Sequence, residues 1–200
     1  MSITINGNGT VTGISVGGLP DGIVDSDMIA ANAVTSAKAS GLGGITMHDT
    51  WHLSSGLDPG NGSIDITGTW ARSNSTHGYI GSAMTESSGV FTFPSTGIYY
   101  VFIAGGFYRT SADSHGYTGF NILTCTDGSS FSNKQGFYAN IPGLSGTTYS
   151  VATSSYTFDV TNTSTHKVKF QTGASNTRPR VRGETTYNTS YATFIRLGDT

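Results

Sequence analysis

Few residues in this chain have the type and spacing to do chemistry. The densest set of candidate metal ligands is "HDTWH", with His48, Asp49 and His52. On an extended strand His48 and His52 share a face but stand about 13 Å apart at the usual rise per residue, too far to hold one ion without ligands from elsewhere or from symmetry-related copies. "GISVG" at residues 13 to 17 has the outline of a Gly-x-Ser-x-Gly elbow, yet no helix follows it and a turn fits equally well. Carboxylates are scattered, with Asp58 and Asp65 in expected turns, Asp113 and Asp127 in loops and Glu184 in a hydroxyl-rich stretch, so no glycosidase pair stands out. The expectation is a non-enzymatic protein with no catalytic residue, no metal and no cofactor.

Binding chemistry is better represented. "RPRVR" sets Arg178, Arg180 and Arg182 at alternate positions, so a strand would present three guanidinium groups on one face, suited to a row of carboxylates or phosphates. The same pattern serves as a charged, solvated face, or pairs across a subunit contact with Glu184 or Asp159. The segments "YRTSADSHGY", "DGSSFSNKQG" and "GETTYNTSY" are rich in Tyr, Ser, Gly and Asn, whose rings stack on sugar faces and whose small polar groups satisfy hydroxyls. Tyr108, His115, Tyr117, Arg180 and Tyr187 are therefore the candidate receptor-loop residues.

The elements that must position these side chains are strands. Charged residues are 11% of the 200-residue chain, against about 25% in an average domain, while Gly numbers 28 and hydroxyl and amide residues abound. Helical surfaces normally carry Glu, Lys and Arg, so this composition indicates β structure. A formal net charge of -2 gives no electrostatic footprint for nucleic acid. No apolar run approaches the roughly 18 residues of a membrane helix, and the N-terminus has neither a basic start nor an apolar signal core. Folding in a cytoplasm, without membrane insertion, is expected. Cys125, the single cysteine, excludes an intrachain disulfide and belongs in a core. A chain with few charges and no covalent staple gains stability by burying apolar surface between subunits, so an oligomer is expected.

Residues 1 to 44 differ in texture from residues 45 to 200. "ITINGNGTVTGISVGG" alternates β-branched residues with Asn and Gly and lacks the aromatic mass to close a core. "DSDMIAANAVTSAKASGLGG" then offers Asp25, Ser26 or Asp27 as a helix N-cap and Gly41 as a stop, with Ile29, Ala33 and Ala37 on one narrow apolar face beside Ala30 and Val34. Such a helix, marginal alone, either lies on the main domain or packs against copies from neighbouring chains. Ile3, Ile5, Ile14, Ile29 and Val34 are the candidate attachment residues of the segment 1 to 44.

From Ile45 onward many short alternating stretches, broken by Gly, Pro, Asn, Asp and Ser with no helices between them, imply a sandwich or closed barrel. In "SSGVFTFPSTGIYYVFIAGGF", Val90 to Phe93 form a short strand, Pro94 to Gly97 a turn and Ile98 to Phe107 a long strand, read together as one hairpin. Tyr99, Val101 and Ile103 share one face of the long strand and Tyr100 and Phe102 the other, so both faces need cover. Gly105 and Gly106 mark a close approach or a bulge.

On Gly89, Phe91, Pro94, Gly97, Tyr99 and Phe102, this block resembles the signature segment of C1q/TNF-like jelly rolls, and "SYATFIRLGDT" is similar to that family's last strand. The resemblance covers roughly residues 45 to 200 and implies an all-β, two-sheet jelly-roll sandwich that forms a homotrimer. "GIVDSDMIAANAVTSAKAS" resembles segments that precede the globular tips of fibre and appendage proteins in marine and cyanobacterial tailed bacteriophages. Together the two resemblances imply a virion protein: residues 1 to 44 join other virion proteins, and residues 45 to 200 form a trimeric head. Tyr100, Phe102, Tyr191 and Phe194 are the candidate trimer-interface residues, since an aromatic outer face can be buried around a closed rotation axis, which also hides strand edges. The expected function is host-surface recognition, of a glycan or a protein, by a tail fibre or tip. A capsid decoration or tail structural trimer is the alternative, and a secreted C1q-like module is disfavoured by the absence of an export signal.

Overall fold

A computed structural model describes residues 44 to 72, 78 to 110, 116 to 176 and 179 to 200, together with the backbone of two short strands near the N-terminus. The chain divides into two units, Met1–Gly43 and Gly44–Thr200. In the first, β1 (Thr4–Ile5) pairs antiparallel with β2 (Val11–Thr12), Ile5 opposite Val11. The helix expected across residues 25 to 38 lies outside the described residues.

The second unit is an antiparallel sandwich, and no helix occurs among its described residues. One sheet runs in the order β12 (Thr148–Val160), β9 (Gly97–Arg109), β15 (Ser190–Gly198), β3 (His48–Leu53), β5 (Trp70–Arg72). On its flanks β14 (Arg180–Val181) pairs with β9 and β6 (Tyr79–Ile80) with β3. The other sheet runs β11 (Ser132–Ile141), β10 (Gly116–Cys125), β13 (Lys167–Ala174), β8 (Val90–Thr92), β7 (Thr85–Ser87), with β4 (Gly62–Asp65) also on β13. Chain neighbours β8 and β9, β9 and β10, β11 and β12, and β12 and β13 fall in different sheets. This repeated crossing is the jelly-roll architecture expected from the sequence.

The crossing also corrects the expected hairpin. β8 and β9 do not pair: Thr92 lies opposite Lys167 in one sheet and Gly97 opposite Val160 in the other. Both connections, residues 93 to 96 and 161 to 166, pass between the sheets at the same end, because β8–β13 and β9–β12 are two halves of one rolled ribbon. Pro94 has no N–H to donate to a ladder. Phe93 turns into the core, 4.6 Å from the Tyr99 ring, and the Tyr99 hydroxyl donates to the Ser95 carbonyl at 3.0 Å, pinning the corner.

Alternation along β9 sends Tyr99, Val101, Ile103 and Phe107 inward, where they meet Phe91, Phe120, Phe170 and Phe194. Phe91 lies 5.0 Å from Phe194 and Phe107 lies 4.9 Å from Phe120, both ring pairs bridging the sheets. Gly105 marks a close approach and not a bulge, since its pairing with Ala152 runs in continuous register and a Cβ there would sit 2.6 Å from the Phe120 ring. Cys125 is buried, its thiol donating to the Thr165 carbonyl.

Candidate functional site

The side of β9 turned away from the core carries Ile98, Tyr100, Phe102 and Tyr108, all half-buried. Cross-strand register extends this outer face: Phe102 lies beside Thr193 and Ser155, Tyr100 beside Ile195 and Thr157, and Ala104 beside Tyr191 and Thr153. Tyr100 and Phe102 stack nearly parallel with centroids 6.3 Å apart, and Tyr191 follows 6.1 Å from Phe102. Three of the four expected interface residues thus form one aromatic strip. Phe194 does not join them. It is three residues from Tyr191, and strand alternation places an odd separation on opposite faces; Phe194 is fully buried against Phe91 and Phe93.

Further exposed apolar side chains, absent from the expectations, lie on the outermost strands of the two sheets. β11 pairs only with β10, and Phe137 on it is 54% exposed; on β12, Tyr149 and Val151 are 63% and 67% exposed. Period-two alternation on β12 was the available signal, since Tyr149 and Val151 fall on the side opposite the core residues Ala152 and Phe158.

The expected receptor-loop residues are distributed over the head. Arg180 pairs in register with Tyr108 and forms an ion pair with Asp58 at 2.9 Å. Tyr108 stands 6.5 Å from Tyr149, over which the Arg182 guanidinium lies at 5.5 Å. Arg178 and His115 lie outside the described residues. Tyr117 projects from the outer face of the other sheet, 5.3 Å from Tyr138, a ring the sequence expectations had not singled out. Tyr187 lines a cleft of about 650 Å³ with His52, Ser54, Thr185 and Asn188. Of the candidate attachment residues, Ile5 lies in β1 and Ile3, Ile14, Ile29 and Val34 lie outside the described residues.

The "HDTWH" segment resolves into two faces of β3. His48 and His52 point outward, and the His52 side chain is buried, with no protein partner for Nδ1; that burial pushes its pKa below the ordinary value. Asp49 points inward with Trp51 and Leu53. Fully buried, it accepts from Trp51 Nε1 at 3.0 Å, from the Met84 backbone N–H at 2.9 Å and from both Nε and Nη2 of Arg72 at 3.3 Å. Arg72 in turn donates to the Met84 carbonyl and covers the Trp51 ring at 4.4 Å. Among the described residues, no three His, Cys, Asp or Glu side chains gather as a metal site.

No protein-family model matches the sequence, and no curated protein matches it. Similar solved structures include crystal structures of murine APRIL at pH 8.5 and at pH 5.0. Each is 11% identical and covers 75% of this chain and 99% of that one, with TM-scores of 0.44 and 0.49. The fold assignment here rests on the strand order itself.

Proposed function

We propose that the chain is a non-catalytic virion protein whose residues 45 to 200 form the homotrimeric head of a short phage fibre or tip, held to the virion through residues 1 to 44 and recognising a host-surface glycan or protein. The observation that carries the reading is the strip of Tyr100, Phe102 and Tyr191 on the outer face of β9 and β15. Covered by a different surface of the next copy, the strip makes a head-to-tail contact, which ends in a closed ring when the rotation closes. Three copies follow from the C1q/TNF-like resemblance of the block around Phe91 to Phe102, and the virion setting from the resemblance of residues 22 to 40 to appendage segments.

Light-scattering mass, measured on the same sample used for binding to intact candidate host cells, tests this reading. A trimer that binds saturably is expected. A monomer at micromolar concentration overturns the assembly. A trimer that ignores cells yet restores virions lacking it replaces recognition with a structural role in the particle.

A further inference from the structure

The outer face of the sheet that does not carry the Tyr100–Phe102 strip holds a cleft of about 380 Å³ lined by Gly62, Ser63, Tyr117, Tyr138, Gly173 and Ala174. The two rings meet at 85°, forming a corner with one ring as wall and the other as platform, and Tyr117 is 53% exposed. The platform is held in place from beneath. Asn121, only 4% exposed, donates through Nδ2 to the Tyr138 hydroxyl at 2.9 Å, and that hydroxyl lies 3.2 Å from Asn121 Oδ1. Glycines make the arrangement possible: a Cβ on Gly136 would fall 2.2 Å from Asn121 Oδ1, and one on Gly119 would fall 2.7 Å from the Tyr138 Cα.

The lining contains no charge. Among the described residues, the charged pair on β13 and β4 compensates itself: Lys169 pairs with Asp65 at 2.7 Å, with Gln171 Nε2 also on that carboxylate at 2.8 Å. Burial raises the Asp65 pKa, but the bonds from Lys169 and Gln171 outweigh it and hold the carboxyl below its usual value, so the pair stays ionised and internally neutral. What the cleft offers is a π face, the hydroxyls of Ser63 and Tyr117, and the backbone of β4, which pairs on one side only. A neutral ring with apolar C–H groups on one face and hydroxyls at its rim matches that set; an anion or an extended apolar chain does not.

We propose that the Tyr117–Tyr138 corner is a binding subsite for a single neutral pyranose unit of a surface saccharide. This deepens the host-recognition reading and rests on it for the source of the sugar. The position, on the sheet opposite the aromatic strip, leaves it open when that strip is covered.

Saturation-transfer NMR of the full chain with neutral methyl hexopyranosides of the gluco, galacto, manno and 6-deoxy series tests the site, with light-scattering mass taken on each sample. Transfer to ring C–H protons is expected from at least one, weakening about tenfold in Tyr117→Ala, whose exposed ring is dispensable for folding, and retained in Tyr117→Trp. No transfer from any member, or transfer indifferent to Tyr117→Ala, overturns the site. So does a mass that rises above the trimer with concentration and falls back in Tyr117→Ala, which makes a second copy of the chain the occupant. Sugar binding by a monomer leaves the site standing and removes the trimer, so the two readings fail separately.

Discussion

Asp49 is a carboxylate at a position that strand alternation assigns to the core, between the parity of Trp51 and Leu53. That conflict was legible in "HDTWH" once the face was chosen: an inward Asp must find donors, and it finds the Trp51 indole, the Met84 amide and Arg72. The identity of Arg72 was not legible, because the strand that supplies it was fixed only by tertiary pairing. Removing one member of a buried pair typically costs about 3 to 5 kcal/mol. Because Arg72 keeps 35% of its side-chain surface accessible, Asp49→Ala is expected to cost somewhat less, about 2 to 3 kcal/mol, measured as the shift of the urea unfolding midpoint. His52 predicts a pH dependence. Burial depresses its folded pKa below the ordinary histidine value of about 6.5, so as pH falls past that value the unfolded chain takes up a proton that the folded chain resists, and stability declines until the folded pKa is passed. Unfolding midpoints between pH 7 and pH 5 should fall in the wild type and change less in His52→Gln; equal slopes refute the assignment.

At the scale of elements, alternation carried most of the information. The two faces of β9 were readable from "GIYYVFIAGGF", since its strand period holds without a slip through thirteen residues. The expectation for Phe194 ran against parity, since its odd separation from Tyr191 sends it to the core face. The β8–β9 corner was misread as a hairpin because a Pro and a Gly between apolar runs give the same local signal whether the chain turns back or crosses to the facing sheet. Only the partner strand β13 decides. Substitutions separate the two faces. Phe102→Glu is expected to leave the folded monomer nearly as stable and to shift the light-scattering mass from trimer to monomer, because a buried unpaired charge is costly only once the face is covered. Phe194→Ala is expected to cost about 3 to 5 kcal/mol through a core cavity, read by denaturation. The opposite pattern would put the strip in the wrong place.

For the whole molecule, the division at Gly43 predicts that residues 45 to 200 keep their sandwich and their association state alone, because the sandwich pairings and the aromatic core described lie within Gly44–Thr200. Deleting residues 1 to 43 should leave far-UV circular dichroism and subunit number unchanged while abolishing incorporation into virions; a monomeric product would place the association in the removed segment. The distribution of tryptophan also governs how such experiments can be read. Both tryptophans of the chain stand at one corner, Trp51 at 5.5 Å and Trp70 at 5.3 Å from Phe91 across the gap between sheets. Indole emission therefore reports on whether the two sheets remain closed at that corner. The strip proposed to be shared between subunits contains tyrosine and phenylalanine but no tryptophan, so dissociation without unfolding will be nearly silent in tryptophan fluorescence, and an assembly that appears stable by that signal can already have come apart.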